Sequence, residues 1–196
     1  MKFLVLFFLC FHIIFSKGQI PQFENNYSKN DSINNKDLIH FSKKFDFVIS
    51  HHNIGYWTGG NNYYHLLTLN KKGWQIWESR YKKEKIRFYK IKKQQSQIDN
   101  MSLYNFFDKN KIWDIDNVEL NRYKKSYFIT DEGDTIIKKR TIVADGSYHV
   151  YNFITKNNAK TVGLYSSDIN NEQSIIFERC NNFFQKWWYK IIELNL

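Results

Sequence analysis

His51 and His52, adjacent and followed by Asn53, are the side chains in this sequence best suited to chemistry. Imidazole titrates near neutral pH and ligates zinc, so the pair raises acid–base catalysis and metal binding. The spacing argues against a metal. Adjacent residues on an extended chain point to opposite faces. No HExxH, no CxxC and no second pair at ligand spacing exists, and His40, His65 and His149 are single. We therefore expect no metal and no cofactor. Catalysis by His51 or His52 would need a carboxylate from elsewhere in the chain, and the plainer expectation is a pair of loop or surface histidines.

Next to the pair runs Gly55-Tyr56-Trp57-Thr58-Gly59-Gly60, followed by Tyr63 and Tyr64. Glycine lets a ligand approach the backbone closely, and flat rings offer apolar faces to a sugar or a similar ligand. Tyr56, Trp57, Tyr63 and Tyr64 are the expected ligand-binding residues. The segment is not a phosphate loop, because the Lys-Ser/Thr ending is missing. The competing expectation is a connection whose rings tuck back onto a sheet.

The remaining groupings have plainer explanations. Asp114-Ile115-Asp116-Asn117-Val118-Glu119 lacks the glycine and the fifth-position ligand of a calcium loop. Asp131-Glu132-Gly133-Asp134 falls where a hairpin must turn. Lys186-Trp187-Trp188-Tyr189-Lys190 would suit a membrane surface, but Trp187 continues an apolar stripe and is expected in the core. Cys180 lies in an apolar segment and reads as a buried small hydrophobe.

The elements that must carry these residues follow from pattern. Asp37–Phe45 has helix spacing, and a strand is expected over Phe45–Ser50. Asn62–Leu69 and Trp74–Tyr81 form a hairpin across Asn70-Lys71-Lys72-Gly73, and Lys85–Lys93 adds a strand. Met101, Tyr104 and Phe107 mark one face of a helix. Arg122–Thr130, Thr135–Val143, Ser147–Ile154 and Lys160–Ser166 are further strands. Asn170-x-x-Gln173 resembles a capping box before a helix striped by Ile176, Cys180, Phe183, Phe184, Trp187 and Ile191. The fold class is α+β: an antiparallel sheet of about six to seven strands, with two or three helices, including the C-terminal amphipathic one, packed on one face.

Organisation and location complete the reading. Lys2, the apolar run Phe3–Phe15 and Ser16-Lys17-Gly18 form a cleavable signal peptide over residues 1–18. The run is too short for the roughly twenty residues a spanning helix needs. Residues 19–36 read as a flexible polar leader and 37–196 as a single α+β domain. The expected location is secreted or periplasmic, with no stable membrane anchor. Losing Cys10 with the signal peptide leaves Cys180 without an intramolecular disulfide partner. The net charge of +10 falls to +8 once Lys2 and Lys17 are removed. Only five arginines accompany many lysines, and no binding module for nucleic acid is present, so nucleic acid is not an expected partner. The expected function is a non-catalytic binding or interaction module of the cell envelope or extracellular space. Its partner would be a polysaccharide or another exported protein. The alternative is an exported hydrolase using His51 or His52.

Overall fold

A sharp reversal at Asn70–Gly73 organises the middle of the chain. Gly73 takes φ +93°, a left-handed conformation that favours glycine, and Lys72 N donates to Asn70 Oδ1 at 2.8 Å. The computed structural model describes residues 20–24, 36–55, 64–82, 85–91, 100–120, 127–129, 136–138, 147–165 and 171–193. Strands β1 (Phe47–Gly55), β2 (Tyr64–Asn70), β3 (Gly73–Lys82) and β4 (Lys85–Lys90) follow one another. After them come β5 (Tyr127–Ile129), β6 (Ile136–Lys138), β7 (Ser147–Thr155) and β8 (Ala159–Tyr165). Six make one antiparallel sheet in the order β4-β3-β2-β1-β7-β8, which gives the expected α+β class with six strands. Among the described residues β5 and β6 pair with each other in a separate two-stranded sheet, and the rest of the expected Arg122–Thr130 and Thr135–Val143 strands lies outside the described residues.

Strand alternation sorts the two faces. Phe47 and Ile49 of β1, Leu67 of β2, Tyr151 and Phe153 of β7, and Val162 and Leu164 of β8 form the larger core. Helix α2 (Asn100–Asn110) covers it with Leu103, Tyr104 and Phe107, and α4 (Glu172–Glu193) with Phe177, Cys180, Phe184, Trp187, Trp188 and Ile191. Both faces of the expected α4 stripe are realised, with Arg179, Asn182 and Lys186 outside. The α4 cap sits one residue later than expected. Ser174 N donates to Asn171 Oδ1 at 2.7 Å while Asn171 N donates to Ser174 Oγ at 2.9 Å, a reciprocal box. Helix α1 (Lys36–Ser42) lies on the opposite face, where Leu38 and Phe41 meet Val48, Leu66 and Ile154. Asp116 Oδ1 accepts from Val118 N at 2.8 Å at the start of α3 (Asn117–Leu120), so this carboxylate caps a turn. Phe23 is also buried, with its ring 6.5 Å from Phe47 and 6.4 Å from Phe153. One aromatic therefore ties residues 20–24, read from sequence as part of the polar leader, to the sheet.

One close approach is testable. A Cβ on Gly163 would lie 2.5 Å from Tyr148 Oη and 2.8 Å from its Cζ, because that ring crosses the glycine from β7 to β8. Gly163→Ala must displace the ring and should cost about 1–3 kcal/mol in urea denaturation. Pairing it with Tyr148→Ala should return most of that loss. A single variant as stable as the parent would show that the ring has other room.

Candidate functional site

Strand β1 continues past Ser50, and this places the histidine pair inside the sheet. His51 follows Phe47 and Ile49 on the face beneath α4, whereas His52 follows Val48 and Ser50 on the other. They are 1% and 4% exposed, buried rather than on a loop or the surface. The register then assembles a row that the sequence kept apart. His51 pairs with His65 of β2, and His51 Nε2 lies 3.2 Å from His149 Nδ1 of β7. Helix α4 roofs the row: Trp188 stacks on His65 at 3.9 Å, and Phe184 lies 4.5 Å from His51.

These imidazoles are held neutral. Burial lowers His51 well below its ordinary value, and His149, His65 and His52 repel its charged form further. Burial and His52 bring His65 down to about 4, and burial lowers His149. The row ends at Ser147, whose Oγ is 3.0 Å from His149 Nε2. A serine, a histidine and a group orienting that histidine are the parts of an activated nucleophile. The protons are better placed in the opposite order, however. His51 Nδ1 has no hydrogen-bond partner. If His51 donates through Nε2, that atom carries only a lone pair, and buried N–H groups are the rarer orphans. His149 then donates to Ser147, which accepts where a nucleophile must give. A neutral ring in the third position also supplies no charge for the imidazolium that catalysis would form.

At the other end of the sheet a cavity of about 650 Å3 opens between residues 22–24, Trp113, Asp114, Asn158 and Lys160. Its walls are fixed. Asn158 Nδ2 donates to Phe23 O at 3.2 Å, and Trp113 packs against Phe153 and Tyr104 at 5.9 and 5.8 Å. Lys160 takes an inward position of β8, in line with Val162 and Leu164, and is 7% exposed. It makes no ion pair or side-chain hydrogen bond with any described residue. Burial pushes its ammonium pKa down, against the pull of Asp114, Asp116 and Glu24.

The other expected site residues fall as follows. Tyr56, Trp57 and Tyr63 lie outside the described residues, as does the Asp131–Asp134 group. Tyr64 begins β2, is 2% exposed, and stacks on His52 at 4.7 Å, so its ring is inside the protein. Trp187 is buried in the core as expected, and so is Trp188. Cys180 is buried and its thiol is pushed up to about 12, which leaves it a packing residue. Among the described residues no cluster of three His, Cys, Asp or Glu side chains is placed to hold a metal, and no helix is long and apolar enough to cross a membrane. Two signals went unused in the sequence. Ser147-x-His149 on a strand puts both side chains on one face, and Lys160-x-Val162-x-Leu164 sets a lysine where an apolar residue belongs. No family model, curated protein or solved structure matches the chain.

Proposed function

We propose that this chain is an exported binding protein that acts without catalysis and receives a small ligand in the Lys160 cavity. The observation that carries the reading is Lys160 itself. A lysine this buried, held near carboxylates but in ion-pair contact with none of them, costs stability, and a perturbed titratable group in a cleft is a candidate ligand group. The cavity volume lies within the range of small-molecule sites. Export is supported by the apolar run Phe3–Phe15 and the small residues after it. Lys160→Met keeps the stem and removes the charge. It should raise Tm by about 2–4 °C, as about 1 kcal/mol does in a chain of this size. Native mass spectrometry of the exported protein should find a small molecule that this variant lacks. A bare parent protein with a Tm below that of no ligand-soaked sample would sink the reading.

The hydrolase alternative draws support from the Ser147–His149–His51 distances alone, with His51 orienting the base. A fluorophosphonate probe decides it. Labelling at Ser147, lost in Ser147→Ala and in His149→Gln, would establish a nucleophile. The tautomer order argued above predicts no labelling of Ser147 beyond that of the denatured chain.

A further inference from the structure

We propose that the Lys160 cavity takes a small zwitterion of the amino-acid class, its carboxylate on the Lys160 ammonium and its own ammonium between Asp114 and Glu24. The inference rests on the cavity being a ligand site and names what enters it. Among the seven lining residues stand one cation and two carboxylates, and they do not collapse into an ion pair. The volume between them is thus bounded by both signs of charge. Asp116 adds a third carboxylate whose field reaches Lys160.

Each simpler ligand leaves part of this arrangement unanswered. A plain anion would meet Lys160 but stand beside Glu24 and Asp114, at a cost in like-charge repulsion. A plain cation would suit the carboxylates and add like-charge repulsion to the Lys160 ammonium. A neutral polyol can donate to the carboxylates, yet it brings no charge to Lys160. A ligand carrying both charges a few bonds apart answers all three groups at once. The amides of Gln22 and Asn158 line the same volume and suit the polar remainder of such a ligand.

The site is also built before the ligand arrives. Phe23 pins one wall to Phe47 and Phe153, and Trp113 forms another wall within an aromatic layer. Little chain ordering remains to oppose binding.

Isothermal titration calorimetry on the purified protein tests this with the twenty free amino acids and glycyl dipeptides. Their N-acetyl and amide derivatives, neutral mono- and disaccharides, and small dicarboxylates serve as comparators. At least one free zwitterion should bind at a single site. Acetylating its amine or amidating its carboxylate should each weaken binding about tenfold or more, the loss expected for one charge-assisted hydrogen bond. Lys160→Met should weaken the zwitterion by a similar factor and erase the difference between it and its amide. Asp114→Asn, at an exposed position that leaves the fold intact, should erase most of the difference between it and its N-acetyl form. Failure of every zwitterion overturns the proposal. If a saccharide or dicarboxylate then binds and loses affinity in Lys160→Met, the cavity remains a ligand site of another class. Silence from all three classes removes both readings.

Discussion

Acidification from pH 7.5 to 5.5 is expected to cost this fold about 3–4 kcal/mol, read as a falling urea midpoint. The loss comes from His51, His65 and His149. In the unfolded chain each takes up a proton near pH 6.5. In the folded chain each has a lowered value, His65 at about 4 and His51 well below the ordinary range. Between those limits the unfolded state binds more protons, so stability is complete above about pH 6.5 and drains away as the pH falls. One shifted group changes stability by about 1.4 kcal/mol per pH unit once the unfolded form is protonated, and three act together. Among the described residues no counter-charge is close at hand. The side chains facing the row from α4 are Phe184 and Trp188, Tyr151 and Ser147 face it from β7, and across the sheet lies His52. The loss is a large share of the 5–15 kcal/mol that holds a typical domain together. His65→Phe keeps the stack on Trp188 and should remove about a third of the pH dependence, as should His51→Phe beside Phe184. A midpoint that stays flat between pH 7.5 and 5.5 would show that protons reach the row without opening it.

What the sequence carried and what it lacked divide along the range of the interactions. The β2–β3 hairpin was legible because Asn70 and Gly73 fix the turn locally. The α4 stripe was legible because one helix repeats its own period over 22 residues. Strand β1 was cut short at Ser50 because the histidines interrupt the hydrophobic signal, although Phe47, Ile49 and His51 keep one alternation. The histidine row needs the registers of β1 with β2 and with β7, and its imidazole–imidazole contact at 3.2 Å joins residues 98 apart. Pattern along one strand carries no such information. Lys160 was hidden differently. A lone lysine at an inward position is a visible anomaly, but only the folded chain brings Trp113, Asp114 and residues 22–24 around it.

Tyr151 is where substitution should damage the fold most. It is fully buried, and its ring meets Phe107 at 5.5 Å, Phe177 and Phe184 at 5.6 Å, and His51 at 4.9 Å. Sheet, α2 and α4 thus share one side chain. Tyr151→Ala deletes that ring between three layers that cannot all close on the gap, and should cost about 4 kcal/mol in chemical denaturation. The phenol contributes separately: its O–H donates to Asn181 Oδ1 at 3.1 Å, and Asn181 is itself buried. Tyr151→Phe keeps the packing but strips Asn181 of its donor, at about 1–3 kcal/mol. If the penalty is the orphaned carbonyl, combining Tyr151→Phe with Asn181→Leu should recover most of the loss, since no polar group is then left without a partner. Equal costs for the alanine and phenylalanine variants would assign the stability to the hydrogen bond. A loss below about 1 kcal/mol in Tyr151→Ala would mean that the aromatic layer repacks freely, and well-packed cores do not.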